Sequence, residues 1–347
     1  MKKTLLASLV SLSALAAPLL GWADEPRLKN SHPDTYSVVK GDTLWDISAR
    51  FLENPWMWPE IWHANDQIAN PHLIFPGDRI RLVYLDGKPR LTLDRGEAGR
   101  TYKAKMGPEI HVVPQEEAIT TIPLDRINAF LSRSRIVGVG VLDTAPYVLA
   151  GGEEHVVTGA GDTMYARGNF NTEVKSYGVY RQGDVYVDPQ TKEPLGIQAI
   201  DIASVKQKAL NGDIGTFDIV RTTQEVRLGD RLLETVERSI DSTFFPRPPS
   251  NETRAEIIGV EGGVNQVGKL DVVALNKGER DELQVGDVLL IYKKGDTVRD
   301  RITNEVIQLP AEKSGVMMVF SVFEKMSFGI VLEAERPLRT GDELRSP

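Results

Sequence analysis

Cysteine is absent from this 347-residue chain. That excludes disulfides, a thiolate nucleophile, a zinc–thiolate site and acylation at a lipobox cysteine. Histidine is scarce, and the five (His32, His63, His72, His111 and His155) show neither H-x-H nor H-E-x-x-H spacing, so the zinc endopeptidase pattern is missing. No D-x-D-x-D-G run offers a calcium loop, and GAGDTM at 159–164 lacks the third glycine of a dinucleotide fingerprint and reads as a turn. No cofactor or metal is expected from these patterns. Positive charge is also in deficit: 41 Lys and Arg stand against 49 Asp and Glu, a formal −8. That argues against sequence-independent nucleic-acid binding, which depends on cations neutralising phosphates, and points to neutral, polar or basic partners. Past residue 20 no stretch approaches the ~20 apolar residues of a membrane span. Aromatics make up only 7%, yet four of the five tryptophans crowd into positions 45–62.

What is present begins with MKKTLLASLVSLSALAAPLLGWA. Lys2 and Lys3 precede a mostly apolar run broken by Pro18 and serines, and Gly21 and Ala23 are small residues at the −3 and −1 positions of a cleavage site. Residues 1–23 are therefore expected to be a cleaved secretory leader, leaving a periplasmic chain that begins at Asp24. Loss of the two lysines takes the formal charge to −10.

After a polar lead-in, YSVV at 36–39 reads as a strand. Leu44, Ile47 and Phe51 then fall at helical spacing behind an Asp42 or Thr43 N-cap. Pro59 suits the first turn of a second helix carrying Ile61 and Trp62, Asn70-Pro71 a turn, and RIRLVYL a returning strand. Residues 86–134 read as a charged linker with a short helix near Pro123, where Leu124, Ile127, Phe130 and Leu131 share one face. From Arg135 strand patterns dominate (RIVGVGVL, YVLA, EVKSYGVYR, DVYVD, EPLGIQAIDIASV, TFDIVRTT, RLLETVE), giving a β-rich domain over 135–240. A proline-rich linker at 241–253 and a second β-rich domain at 254–347 follow. In the latter, VMMVFSVF is expected to be a buried strand, with a docking surface as the lesser reading. One device recurs as GDTL, GDRI, GDVY, GDRL, GDVL and GDEL. Glycine supplies φ > 0 and Asp can bond the backbone two residues on, so each copy is expected to be a tight turn into a strand.

The strand–helix–helix–strand order resembles a LysM domain over 34–85. The resemblance is carried by Tyr36, Val39, Gly41, Asp42, Thr43, Leu44, Ile47, Asn65, Asn70, Pro71, Ile74, Pro76, Gly77, Asp78, Ile80 and Leu82. The fold class expected is thus multi-domain: a small α+β (βααβ) domain followed by mainly-β, barrel- or sandwich-like domains. The resemblance implies binding of peptidoglycan or chitin, N-acetylglucosamine-containing glycans, in a shallow groove between two loops. By position these are Gly41, Asp42, Thr43 and Leu44, and Asn70, Pro71, His72, Leu73, Ile74 and Phe75. Backbone N–H and C=O groups would serve the sugar acetamide, and Leu73, Ile74 and Phe75 an apolar floor. The tryptophan-rich insertion NPWMWPEIW departs from the family pattern. Trp56, Trp58 and Trp62 either fill a very small core, the favoured reading, or form a sugar-stacking rim.

RQGDVYVDPQTKEPLGI, VRLGDRLLE, NKGERDELQVGDVLLIY and the segment from LPAEKSG to GDEL resemble the C-terminal region of periplasmic secretin-associated proteins of type IV pili, itself related to a flagellar basal-body protein. That resemblance implies an outer-membrane secretin ring as partner and a ring-forming homo-oligomer as the assembly. The sequence expectation is a non-enzymatic wall-binding protein. A LysM-targeted glycan hydrolase stays open, since a carboxylate pair has no fixed spacing, and so does a flagellar ring component.

Overall fold

The computed structural model describes residues 25–62, 74–94, 120–122, 127, 130, 134–152, 158–235, 244–261 and 266–347. The expected leader, 1–23, lies outside these residues.

Six Gly-Asp turns set the frame. At 39–42, 75–78, 159–162, 227–230, 284–287 and 339–342 the Asp N–H donates to the carbonyl three residues back at 3.0–3.2 Å. Its carboxylate accepts from the N–H of that same residue at 2.8–3.0 Å. The glycine sits at φ +87° to +97°, as the third position of a type II turn requires. The expectation had Asp bonding forward two residues; it reaches back three instead and closes the turn from its far end. GDVY at 183–186 is not a turn at all. It lies inside a strand, at a register shift between Gln182 and Val185, and Gly183 has no positive φ.

The N-terminal domain runs β1 (Thr35–Ser37), α1 (Leu44–Phe51), a 3-10 turn (Pro55–Met57), α2 (Trp58–Ile61), β2 (Arg79–Leu85) and β3 (Lys88–Asp94). The antiparallel sheet order is β1-β2-β3. Strand β3 falls in the region expected to be linker. The Asp86-Gly87 turn before it, with both residues at positive φ, is the hairpin signal that identifies it.

The second domain comprises β4 (Ser134–Val137), α3 (Val141–Thr144), β5 (Tyr147–Gly151), β6 (Thr163–Arg167), β7 (Ser176–Val187), β8 (Pro194–Asn211), β9 (Ile214–Thr222) and β10 (Arg231–Glu234). The pattern RIVGVGVL, expected to be one strand, splits at Gly140, whose φ of +84° starts α3. Sheet order is β4-β8-β7-β10-β5-β6-β9, and β9 pairs back onto β8, so six strands form a ring with β4 added to the first half of β8. The third domain has β11 (Arg254–Val260), β12 (Val272–Leu275), β13 (Val288–Lys293), β14 (Thr297–Arg299), β15 (Val306–Gln308), β16 (Glu312–Val322), β17 (Ser327–Ala334) and β18 (Glu343–Arg345). Strands β11-β12-β17-β16-β13-β18 close a barrel, from which β14 and β15 form a separate two-stranded ribbon.

Barrel strands β12, β16 and β17 are apolar on both faces. Val273, Leu275, Met317, Val319 and Val331 join one buried cluster. Val272, Ala274, Val316, Met318, Phe320, Phe328 and Ile330 join another, which also holds Leu44, Trp45, Ile47, Phe51 and Trp58 of the N-terminal domain. The stretch VMMVFSVF is thus largely buried, as expected, and its outer side chains share a cluster with the first domain, with Phe130 and with Ile136, Leu195 and Tyr186 of the second. Ile127 and Phe130 are buried helical residues in the same cluster; the Phe130 ring lies 4.5 Å from Phe328 and 5.8 Å from Phe320. Leu124 and Leu131, expected on the same helix, lie outside the described residues.

Two turns of equal geometry should respond unequally to a methyl group. At Gly229 an added Cβ meets nothing within 4 Å, so Gly229→Ala costs only the left-handed backbone term, about 1 kcal/mol. At Gly286 the same Cβ lands on the Phe245 carbonyl oxygen. Gly286→Ala is therefore expected to lower the urea midpoint by at least twice as much as Gly229→Ala.

Candidate functional site

The first loop is built by its own side chains. Asp42 Oδ2 accepts from the Val39 N–H at 2.8 Å and from the Tyr36 hydroxyl at 2.9 Å. Burial, then the hydrogen bond to Asp42, pushes the Tyr36 hydroxyl above its ordinary pKa. The Arg50 guanidinium lies 4.4 Å from the Tyr36 ring centre, bracing β1 against the end of α1. Thr43 is the N-cap of α1: its hydroxyl accepts from the Asp46 N–H at 3.1 Å and donates to Asp46 Oδ2 at 2.7 Å. Gly41, at φ +97°, is exposed at the loop tip, whereas Thr43 and Leu44 are buried.

The second loop meets the first edge to edge. The Val38 N–H donates to the Asp78 carbonyl at 2.9 Å and the Gly77 N–H to the Val38 carbonyl at 2.8 Å, so the two Gly-Asp turns are zipped side by side. The Phe75 N–H is held by the Asp78 carboxylate at 3.0 Å, and Phe75 is half-buried. Ile74 is fully buried, in the same cluster as Leu44. Asn70, Pro71, His72 and Leu73 lie outside the described residues. Of the predicted glycan residues, then, the structure places Gly41, Asp42, Thr43, Leu44, Ile74 and Phe75 around the paired turns. Trp56 and Trp58 are buried, the Trp58 ring 6.0 Å from that of Phe245, and Trp62 is half-buried with a bridge to Leu91, so the first two form no exposed rim.

Two features at this site had no local signal in the sequence. The N–H groups of Leu44 and Trp45, the first two of α1, donate to the carbonyls of Thr120 and Thr121 at 3.0 and 3.2 Å. These are donors that a helix start leaves without an intrahelical acceptor. The third domain also reaches α1: Lys269 Nζ lies 3.2 Å from Asp46 Oδ1 across a separation of 223 residues. Nearby, burial pushes the half-buried Glu333 carboxyl above the usual glutamate range, and the Lys29, Lys313 and Lys269 cations oppose that shift. Among the described residues, no group of three or more His, Asp or Glu is placed to hold a metal ion.

Residues 36–83 match the family model for the LysM domain. A 66-residue stretch is 38% identical to "Uncharacterized protein YqbP" of Bacillus subtilis (strain 168). That similarity covers 16% of this chain and spans 30% of the relative's own length. The N-terminal domain is accordingly a LysM domain, which indicates recognition of peptidoglycan-type, N-acetylglucosamine-containing glycan, and mostly β structure follows it.

The Glu333 environment has a defined pH signature. Its folded-state value lies above the unfolded one, so the folded chain binds this proton more tightly. The cost of the charged form is full above the folded value and disappears below the unfolded one. Glu333→Gln should therefore raise the melting temperature more at neutral pH than at about pH 4, as read from paired thermal melts of the two chains.

Proposed function

We propose that this chain is a non-enzymatic peptidoglycan-binding protein of the periplasm, exported by a cleaved leader, that anchors an outer-membrane secretin of the type IV pilus class to the cell wall. The observation that carries the glycan part is the pair of zipped turns within residues 36–83, the segment that matches the LysM model. The secretin part rests on the motifs of 181–347 that resemble secretin-associated proteins.

The geometry suits a mechanical link. The LysM domain shares one buried cluster with the third domain's barrel, so force applied at the glycan enters the barrel through packed side chains. A single shallow site is weak, in the range of ~1 mM to 1 μM, or about −4 to −8 kcal/mol. A ring of copies around a secretin raises the effective concentration of sites and converts weak contacts into avidity.

The full-length chain is expected to pellet with purified sacculi and to release no soluble fragments from them on zymography. Affinity purification from cells is expected to recover a pilus secretin. Clearing of the sacculi would replace the binder with a hydrolase, and recovery of flagellar basal-body proteins alone would replace the pilus with the flagellum.

A further inference from the structure

We propose that residues 120–122 are an internal occupant of the glycan groove, so that the folded chain is closed and glycan binds by displacing them. This rests on the glycan-binding reading above.

The chemistry of the occupant is that of the ligand. The acetamido group of N-acetylglucosamine is a secondary amide, and so is a peptide unit. A groove that binds it offers backbone N–H donors to an amide oxygen and an apolar surface to what lies beside it. In the structure the Leu44 and Trp45 N–H groups, at the end of the first loop, are taken by two successive amide oxygens, those of Thr120 and Thr121. The Ile122 side chain, next along the chain, is fully buried and belongs to the same extended cluster as Leu44 and Ile74. Thr121 is fully buried too. A peptide segment thus supplies both the acceptors and the apolar group that the sugar would bring. An N–H already donating along a 3.0 Å bond cannot also serve a second amide oxygen in the same direction.

The occupant shares its buried cluster with the barrel, since Ile122 belongs to it together with Val316, Met318 and Phe328. Phe130, eight residues on, packs against Phe320 and Phe328. Lys269 reaches α1 at Asp46, one residue past the occupied donors. Opening the groove therefore draws on contacts in the third domain, and whatever engages that domain can bias it. For a site that is open only part of the time, apparent affinity falls by the open fraction: one open molecule in ten means about tenfold weaker binding.

The test uses the full-length chain and a linear tetramer of N-acetylglucosamine, titrated calorimetrically. Ile122→Asp and the milder Ile122→Ala, each checked by thermal melting, are expected to bind the tetramer about tenfold or more tightly than the parent. A second measurement does not depend on opening the groove by mutation. The chain has no cysteine, so Thr121→Cys introduces a single, buried thiol. Its labelling by a water-soluble thiol reagent is expected to be slow in the free protein and to accelerate when the tetramer is added. Tetramer binding with equal affinity in parent and Ile122 variants, or binding that leaves the thiol as protected as before, would overturn the closed groove and leave the glycan reading standing. No binding by any of the proteins would overturn both.

Discussion

The apolar contact between the outer face of the third domain's barrel and the LysM domain is the constraint on which the rest depends. A six-stranded barrel needs only its inward side chains for a core. Here β12, β16 and β17 carry a second, outward set that includes Val316, Met318, Phe320, Phe328 and Ile330. Left uncovered, these residues would form an extended exposed apolar patch. The LysM domain has the opposite deficit: a domain of its size buries too little of its own surface to be comfortable alone. Both surfaces are buried in one cluster, to which Phe130 and the second domain's Ile136, Leu195 and Tyr186 also contribute. Fully burying a large apolar side chain contributes up to about 1.5–3 kcal/mol, against a net stability of about 5–15 kcal/mol for a typical domain. A handful of these contacts therefore decides whether the first domain is docked.

The polar groups follow from that docking. The loop side chains are committed to the loop itself: Asp42 to Tyr36 and Val39, Thr43 to Asp46, Asp78 to Phe75. What such a loop can offer a ligand is backbone, and the backbone donors that a helix start exposes are the ones that the neighbouring segment has taken. Packing against the barrel brings the charged groups together as well, placing Lys269 by Asp46 and raising Glu333. Helix α1 takes part in both arrangements: the N–H groups of Leu44 and Trp45 meet the Thr120 and Thr121 carbonyls, and Asp46 meets Lys269 of the third domain.

Local chemistry made much of this legible. Gly41-Asp42 and Gly77-Asp78 announce turns because only a residue free to take positive φ fits there, and Thr43 announces a helix start because its hydroxyl has an N–H to cap. Gly183-Asp184 is an identical dipeptide inside a bulge, where strand pairing on both sides overrides the turn preference. The Asp86-Gly87 hairpin carries a weaker signal, because Pro89 and flanking charges mask the alternation of Leu91 and Leu93. VMMVFSVF was readable as buried from its unbroken apolar run, but not what covers it. That depends on residues such as Trp45 and Phe328, which are far apart in sequence, and no periodicity encodes such a meeting. The role of Thr120 and Thr121 was hidden for a similar reason: their contribution is carbonyl oxygen, which every residue has.

The Lys269–Asp46 contact, 223 residues apart, also has a consequence for the order of assembly. A chain that emerges amino end first presents Leu44, Trp45 and Trp58 long before Phe320 and Phe328 have appeared. Closing so long a loop costs chain entropy that no local contact repays until the final strands are in place. The first domain therefore waits with its apolar face bare, in the condition that invites aggregation and that holding chaperones relieve. Truncations from the carboxyl end leave it in that condition permanently.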